Sequence, residues 1–184
     1  VPESFLILHG LGNHRPPQHW EFLLAAHLVE AGHDVRYPDL PDSDLPNLDA
    51  WLRVLEDELA SLTEPTVTVV CHSLSCLLWF HAAARHLTAN VDRVILVAPP
   101  ASEQIPEDVS TFWVPDFDAA AVNASAREVT IVCSDNDPFS PRGPSLYSKE
   151  LGIMPIVIPG AGHITHHVGY GYWPFIIDWC LRRV

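Results

Sequence analysis

A run of β-branched residues, Val67-Thr68-Val69-Val70, breaks at Cys71-His72-Ser73 and passes at once into an apolar stretch containing Leu74, Leu77, Leu78, Trp79 and Ala82. The first piece reads as a strand buried on both faces and the second as a helix, with only a tight turn between them. A buried helix that follows a buried strand so closely must fold back onto the sheet it has just left, which places the chain among layered α/β proteins. The same alternation recurs along the sequence. Phe5-Leu6-Ile7-Leu8 is a short strand running into the glycine-rich His9-Gly10-Leu11-Gly12-Asn13. A helix over residues 18–31, ended by Gly32, leads to a less apolar strand over 33–37 that suits a sheet edge. After the Pro- and Asp-rich loop 38–46, Asn47 caps a helix whose buried stripe is Leu48, Trp51, Leu52, Leu55 and Leu59. The chain goes on through a third strand over 66–71, the helix over 74–87 and further strands over 93–97, 128–133 and 155–158. Helices over 144–151 and 172–182 complete the alternation. Residues 101–127, with Phe112, Trp113 and Phe117, show no clear period.

Six strands and their helices, without repeats or a linker, predict one domain over residues 1–184: an α/β, three-layer fold on a mainly parallel sheet of about six strands. No insertion is long enough for a large cap domain; residues 101–127 could form a partial lid at most. The net charge of −13, with no Lys/Arg cluster, argues against nucleic acid or an anionic membrane as partner. No apolar run approaches the roughly 20 residues that a membrane-spanning helix requires. Cys71, Cys76, Cys133 and Cys180 form no C-x-x-C pair and fall in expected strands or apolar helices. They read as buried reduced thiols, an expectation that suits the cytoplasm.

Ligands of such sheets bind beyond the carboxyl ends of the strands, and that is where the polar motifs lie. Ser73 follows the third strand, Asp137 the fifth and His163 the sixth. A Ser hydroxyl is a poor nucleophile unless a neutral His takes its proton, and the His needs a carboxylate on its other nitrogen. The chain order Ser, Asp, His is that of α/β-hydrolase triads, in which the Ser sits on a strained strand-to-helix elbow. Taken alone, Ser73 could equally cap the helix that follows it. Asp135 competes for the acid position. Asp137 is preferred because Pro138 and Pro141 stiffen the loop behind it, whereas Asp135 is expected to bond its own turn. An oxyanion hole would draw on the N–H groups of Leu74 and Leu11. Trp113, Phe139 and Trp173 are candidates for an acyl pocket.

His14, His166 and His167 suggest a metal cluster, but adjacent histidines seldom share an ion and no carboxylate or Cys is interleaved. No metal and no cofactor is therefore expected. His72 reads as structural, and Ser75, in the first helical turn, as bonding the backbone.

Taken together, His9-Gly10-Leu11-Gly12, His19-Trp20, His72-Ser73-Leu74, Ala98-Pro99, the run Ser134 to Pro138, Gly160-Ala161-Gly162-His163 and Gly169-Tyr170-Gly171-Tyr172-Trp173 resemble a known group. It is the small α/β-hydrolase serine hydrolase family that includes retinoblastoma-binding protein 9 and the bacterial YdeN-type proteins. The motifs span nearly the whole chain in the family's order. The departure is at the elbow, where Cys71 and Ser75 stand at the usual glycine positions. The resemblance implies a compact α/β-hydrolase with Ser73, Asp137 and His163 as its triad. The expected activity is cleavage of a small ester, with amide or thioester as lesser alternatives, through an acyl-enzyme. The rival expectation is a catalytically weak or inactive protein-binding module on the same fold, with a protein partner.

Overall fold

The computed structural model describes residues 1–183. Its frame is a sheet of six parallel strands: β1 (Ser4–Leu8), β2 (Asp34–Arg36), β3 (Val67–His72), β4 (Arg93–Val97), β5 (Glu128–Ser134) and β6 (Ile156–Ile158). They lie side by side in the order β2-β1-β3-β4-β5-β6. The chain enters at β1, one strand in from the edge, steps out to the short, half-exposed β2, crosses back to β3 and then advances strand by strand to β6. The direction of travel reverses between β1 and β3. Their carboxyl ends therefore flank the topological switch point, with Leu8 paired to Cys71 in register.

The apolar strand runs divide with period two between two cores. Leu6, Leu8, Val69, Cys71, Val94, Leu96, Ile131 and Cys133 face one side. Phe5, Ile7, Val70, Ile95, Val97 and Val132 face the other. This is why the strands read as unbroken apolar runs rather than alternating ones. Helices α1 (Trp20–Glu30) and α6 (Pro174–Cys180) cover the second side. On the first side lie α2 (Leu48–Ser61), α3 (Leu74–Ala84), α4 (Ala119–Ala124) and α5 (Pro144–Glu150). Asn47 caps α2 as expected, its side chain accepting from the Ala50 N–H at 3.0 Å. The last helix is shorter than its apolar pattern implied, because it starts only at Pro174 and ends at Cys180.

Of residues 101–127, only Ile105 and Pro106 reach the cleft at the carboxyl ends of the strands. Val109 and Phe112, in a 3-10 segment over Glu107–Phe112, are fully buried, and the Phe112 ring meets Trp51 edge-on at 5.2 Å. Phe117 packs on Phe80 in the same way. Among the described residues no helix is long and apolar enough to cross a membrane. All four cysteines are buried free thiols, and burial pushes Cys133 up to about 11 and Cys180 to about 12.

Arg93, a cation at the start of a central strand, is buried and fully engaged. Its guanidinium lies 3.9 Å over the Trp179 ring, donates to the carbonyls of Trp179 (2.7 Å) and Cys180 (3.2 Å), and pairs with Glu128 at 3.3 Å. It thus ties the end of α6 to the sheet. Arg93→Met should lower the free energy of unfolding by about 2–3 kcal/mol, since two carbonyls and a carboxylate lose their donor. Urea titration measures the loss, and catalytic rates at 20 °C should be unaffected.

Candidate active site

Between β3 and α3 the backbone of Ser73 adopts φ 56° and ψ −122°, a strained conformation for a residue with a side chain. Two bonds hold it there: the Ser73 N–H donates to the Val97 carbonyl at 3.0 Å, and the Cys76 N–H donates to the Ser73 carbonyl at 2.9 Å. Ser75, at a usual glycine position of the elbow, is completely buried. Its hydroxyl contacts the Leu8 carbonyl at 2.6 Å and the His72 carbonyl at 2.9 Å, and accepts from the His72 N–H at 2.9 Å. It therefore bonds backbone, as its place in the first helical turn predicted, and it joins the end of β1 to the elbow.

Gly10 passes directly against the nucleophile turn. A Cβ added there would lie 2.7 Å from the Ser73 Cβ, closer than side chains can stand, and 3.2 Å from its Oγ. The preceding His9 is buried, donates from Nδ1 to the Gly10 carbonyl at 3.0 Å and accepts the Leu40 N–H on Nε2 at 2.9 Å. Leu11 and Leu74 both line the cleft beside Ser73. Neither of their N–H groups donates to a backbone carbonyl among the described residues.

A continuous hydrogen-bond chain runs from this turn. Ser73 Oγ stands 2.7 Å from His163 Nε2, and His163 Nδ1 stands 2.8 Å from Asp137 Oδ2. The other oxygen of Asp137, which is almost fully buried, accepts the Phe139 N–H at 2.9 Å. With the carboxylate on Nδ1, that nitrogen carries the proton and Nε2 keeps a lone pair facing the hydroxyl, the tautomer a general base requires.

The loop carrying His163 is anchored from three sides. Trp20 Nε1–H donates to the Ile164 carbonyl at 2.8 Å, and His72 Nε2–H donates to the His163 carbonyl at 3.0 Å. Asp135 accepts the Gly160 N–H at 2.8 Å and Asn136 the Gly162 N–H at 2.7 Å. Asp135 was expected to bond its own turn; it reaches across to the histidine loop instead, because β5 and β6 are adjacent and their exit loops meet. These anchoring roles of Trp20, Asp135 and Asn136 were missed in the sequence, where the only signal was the polar run Ser134 to Asp137 and the His19-Trp20 pair.

The cleft above Ser73 encloses about 450 Å³, with Leu11, Pro100, Ile105, Pro106 and Phe139 among its apolar walls. Of the three aromatic residues expected in the pocket, only Phe139 is there, its ring 4.6 Å from that of His163. Trp113 is excluded because its neighbour Phe112 turns into the core, leaving Trp113 39% exposed outside the cleft. Trp173 is excluded because it packs edge-on against Trp20 at 5.3 Å, in the core under α1 and α6.

His14, His166 and His167 do line the cleft. His14 is bonded to Asp44 at 3.0 Å, and the His166 and His167 rings lie 3.8 Å apart. The potential ligand group among the described residues is a different one, His19, Glu21 and His72, all buried. Burial, with the neighbouring histidines, lowers His19 to about 4 and holds His72 well below the usual imidazole range. Burial also raises the Glu21 carboxyl well above its usual range.

The sequence profile of the serine hydrolase family matches residues 5–181. A comparison by sequence with curated proteins found no match. Among solved structures, the ydeN gene product of Bacillus subtilis superimposes with a TM-score of 0.81 at 20% identity, covering 98% of this chain and 97% of its own. A protein described as a YdeN-like hydrolase from Pectobacterium atrosepticum gives 0.75 at 20% identity, covering 98% and 90%. The esterase domain of a Rhodothermus marinus protein gives 0.70 at 14% identity, covering 98% and 88%. At these identities the likeness speaks for the α/β-hydrolase fold.

Two outcomes follow from the β1 exit loop. Gly10→Ala should leave a folded protein with hydrolytic kcat/KM reduced at least a hundredfold, because the methyl group displaces the elbow by more than about 0.5 Å; circular dichroism and esterase assays check this together. His9 has its imidazole lowered by burial from the ordinary 6.5. Below 6.5 the unfolded chain takes up a proton that the folded chain resists, so His9 stabilises the fold above 6.5 and this contribution is lost as the pH falls through the folded value. The free energy of unfolding should fall from pH 7.5 to 5, and less steeply in His9→Gln.

Proposed function

The chain belongs to the serine hydrolase family, and from that premise we propose that it cleaves a small carboxylic ester through an acyl-enzyme on Ser73. The observation that carries this reading is the unbroken chain Ser73–His163–Asp137, with contacts of 2.7 and 2.8 Å, on a strained elbow at the switch point of the sheet.

In this mechanism Ser73 Oγ attacks the acyl carbon while its proton passes to His163 Nε2. The Asp137 carboxylate holds the Nδ1–H and stabilises the imidazolium that forms. The tetrahedral oxyanion lies against the N–H groups of Leu11 and Leu74, the second of which opens α3 and has the helix dipole behind it. Collapse expels the alcohol, protonated by His163. A water then repeats the sequence on the acyl group and frees Ser73. The residues named need no metal or organic cofactor for these steps.

The shape of the cleft supports the ester reading and a small substrate. Its walls are largely apolar, but of residues 101–127 only Ile105 and Pro106 reach the cleft while Val109 and Phe112 pack into the core, so little surface is available to bury a long acyl chain. Along a series of p-nitrophenyl esters, kcat/KM should peak among the short acyl groups and decline toward dodecanoyl. A steady rise to dodecanoyl would contradict the proposed substrate class.

Assignment of roles is tested with a fluorophosphonate probe and the same esters. Ser73→Ala should abolish labelling and cost of order 10³-fold or more in kcat. Asp137→Asn should cost roughly 10³–10⁴-fold, because the neutral amide cannot stabilise the imidazolium. Asp135→Asn should stay within about threefold of wild type, since the amide oxygen can still accept the Gly160 N–H. If Ser73→Ala and Asp137→Asn, correctly folded, matched wild type, hydrolysis at this site would be refuted.

A further inference from the structure

Beneath the cleft lies a group of side chains that ester hydrolysis leaves unused. His19 caps α1, Glu21 sits in its first turn and His72 ends β3. Each offers one donor atom, and these atoms lie within 4.8 Å of one another. Glu21 is fully buried, and His19 and His72 are each 3% exposed. His19 Nδ1 and Glu21 Oε2 stand 3.3 Å apart. That is about the edge of a tetrahedron with metal–ligand bonds of roughly 2.0–2.1 Å.

A second observation points to a ligand. Glu21 Oε1 and His72 Nδ1 are both buried and make no hydrogen bond, although the Tyr37 hydroxyl, itself unpaired, lies beside the Glu21 carboxylate. Two such lone pairs in one interior cluster are costly unless a cation or an ordered water lies between them. Two of the three side chains are already held as in a metal centre, whereas His19 Nδ1 accepts the Glu21 N–H at 3.3 Å, a bond the ion would replace. His72 donates Nε2–H to the His163 carbonyl at 3.0 Å, which leaves Nδ1 as a bare lone pair. Glu21 Oε2 accepts from Asn13 Nδ2 at 2.7 Å. A metal-bound imidazole commonly gives its other N–H to a carbonyl, and ligating carboxylates are themselves hydrogen-bonded. The rings of His19 and His72 also line the cleft, which offers an entry path and a position for a fourth ligand from solvent.

We propose that His19, Glu21 and His72 form a binding site for a divalent transition cation of the zinc class. Two imidazole nitrogens and one carboxylate select zinc or cobalt over magnesium and calcium, which favour all-oxygen shells. The ion braces the floor of the cleft: it joins the start of α1 to the end of β3, one residue before Ser73. Binding requires no turnover, so it stands or falls separately from the ester reading.

The test uses the full chain, stripped with a chelator, dialysed and titrated with zinc chloride. Calorimetry should show one equivalent bound, and the Tm should rise by about 5–10 °C at a hundredfold excess over Kd. Cobalt(II) in place of zinc should give the intense visible bands of a four-coordinate site. Glu21→Gln keeps the shape and the acceptor for Asn13 but removes the charge; it should weaken zinc binding at least tenfold and abolish the Tm shift. The double variant His166→Ala/His167→Ala, which removes the paired imidazoles at the cleft mouth, should retain both. No stoichiometric binding by the wild type would overturn the site and leave an ordered water as the partner of the two orphaned atoms. Binding and a Tm shift that survive Glu21→Gln would overturn it equally, as adventitious capture by surface histidines.

Discussion

The geometry of the cleft depends on one close approach. The chain leaving β1 passes so near the turn after β3 that only a residue without a side chain fits, and Gly10 fills that place against Ser73. The Ser75 hydroxyl holds the contact together by bonding the Leu8 carbonyl on one side and the His72 backbone on the other. The usual elbow has glycine where Ser75 stands. Here a small side chain is tolerated because its single polar atom has backbone partners in an interior where an unmet hydroxyl would be costly. The altered motif thus retains the close packing of strand and helix and adds a polar tie between β1 and β3.

The second dependence is on the loop of His163. A glycine-rich turn is free to adopt many conformations, and an imidazole within 2.7 Å of a hydroxyl needs one of them. Anchors come from three parts of the chain: Trp20 from α1, His72 from the elbow, and Asp135 with Asn136 from the end of β5. Each satisfies a backbone carbonyl or N–H that the turn cannot pair internally. Pre-organisation of this kind is what aligned proton transfer requires. The aromatic packing of Trp20 against Trp173 carries that order back into the core under α1 and α6.

Much of the architecture was legible along the chain. Buried strands announce themselves as β-branched runs such as Val67 to Val70, and helices such as α2 as a periodic stripe begun by Asn47, because both patterns are dictated by neighbours a few residues away. The all-parallel order follows from alternation and handedness, which leave few other arrangements. The contacts of Ser73, Asp137 and His163 could also be anticipated, since each lies in the turn or loop that leaves a strand and strand ends converge on one edge of a parallel sheet. Element ends were less legible: α6 stops at Cys180, where Arg93 takes up its final carbonyls, a residue more than eighty positions away.

What only the tertiary structure decided lies in contacts between distant segments. Trp113 and Trp173 looked as suitable for a pocket as Phe139, and nothing local distinguishes a ring that faces a cleft from one that faces a core. Phe112 taking the core position, and Trp20 waiting for Trp173, made that choice. Asp135 looked like a turn former until β6 brought Gly160 beside it. The histidines show the same division most clearly. The adjacent pair His166 and His167 drew notice because it is local, whereas His19, Glu21 and His72 come together only when α1 is laid across the end of β3. Periodicity and motif order are short-range properties, so the sequence by itself determined the layers, the strand ends and the order of the polar motifs. Side-chain direction and the partners of buried polar atoms are set by packing between segments far apart in the chain, and only the folded structure could supply them.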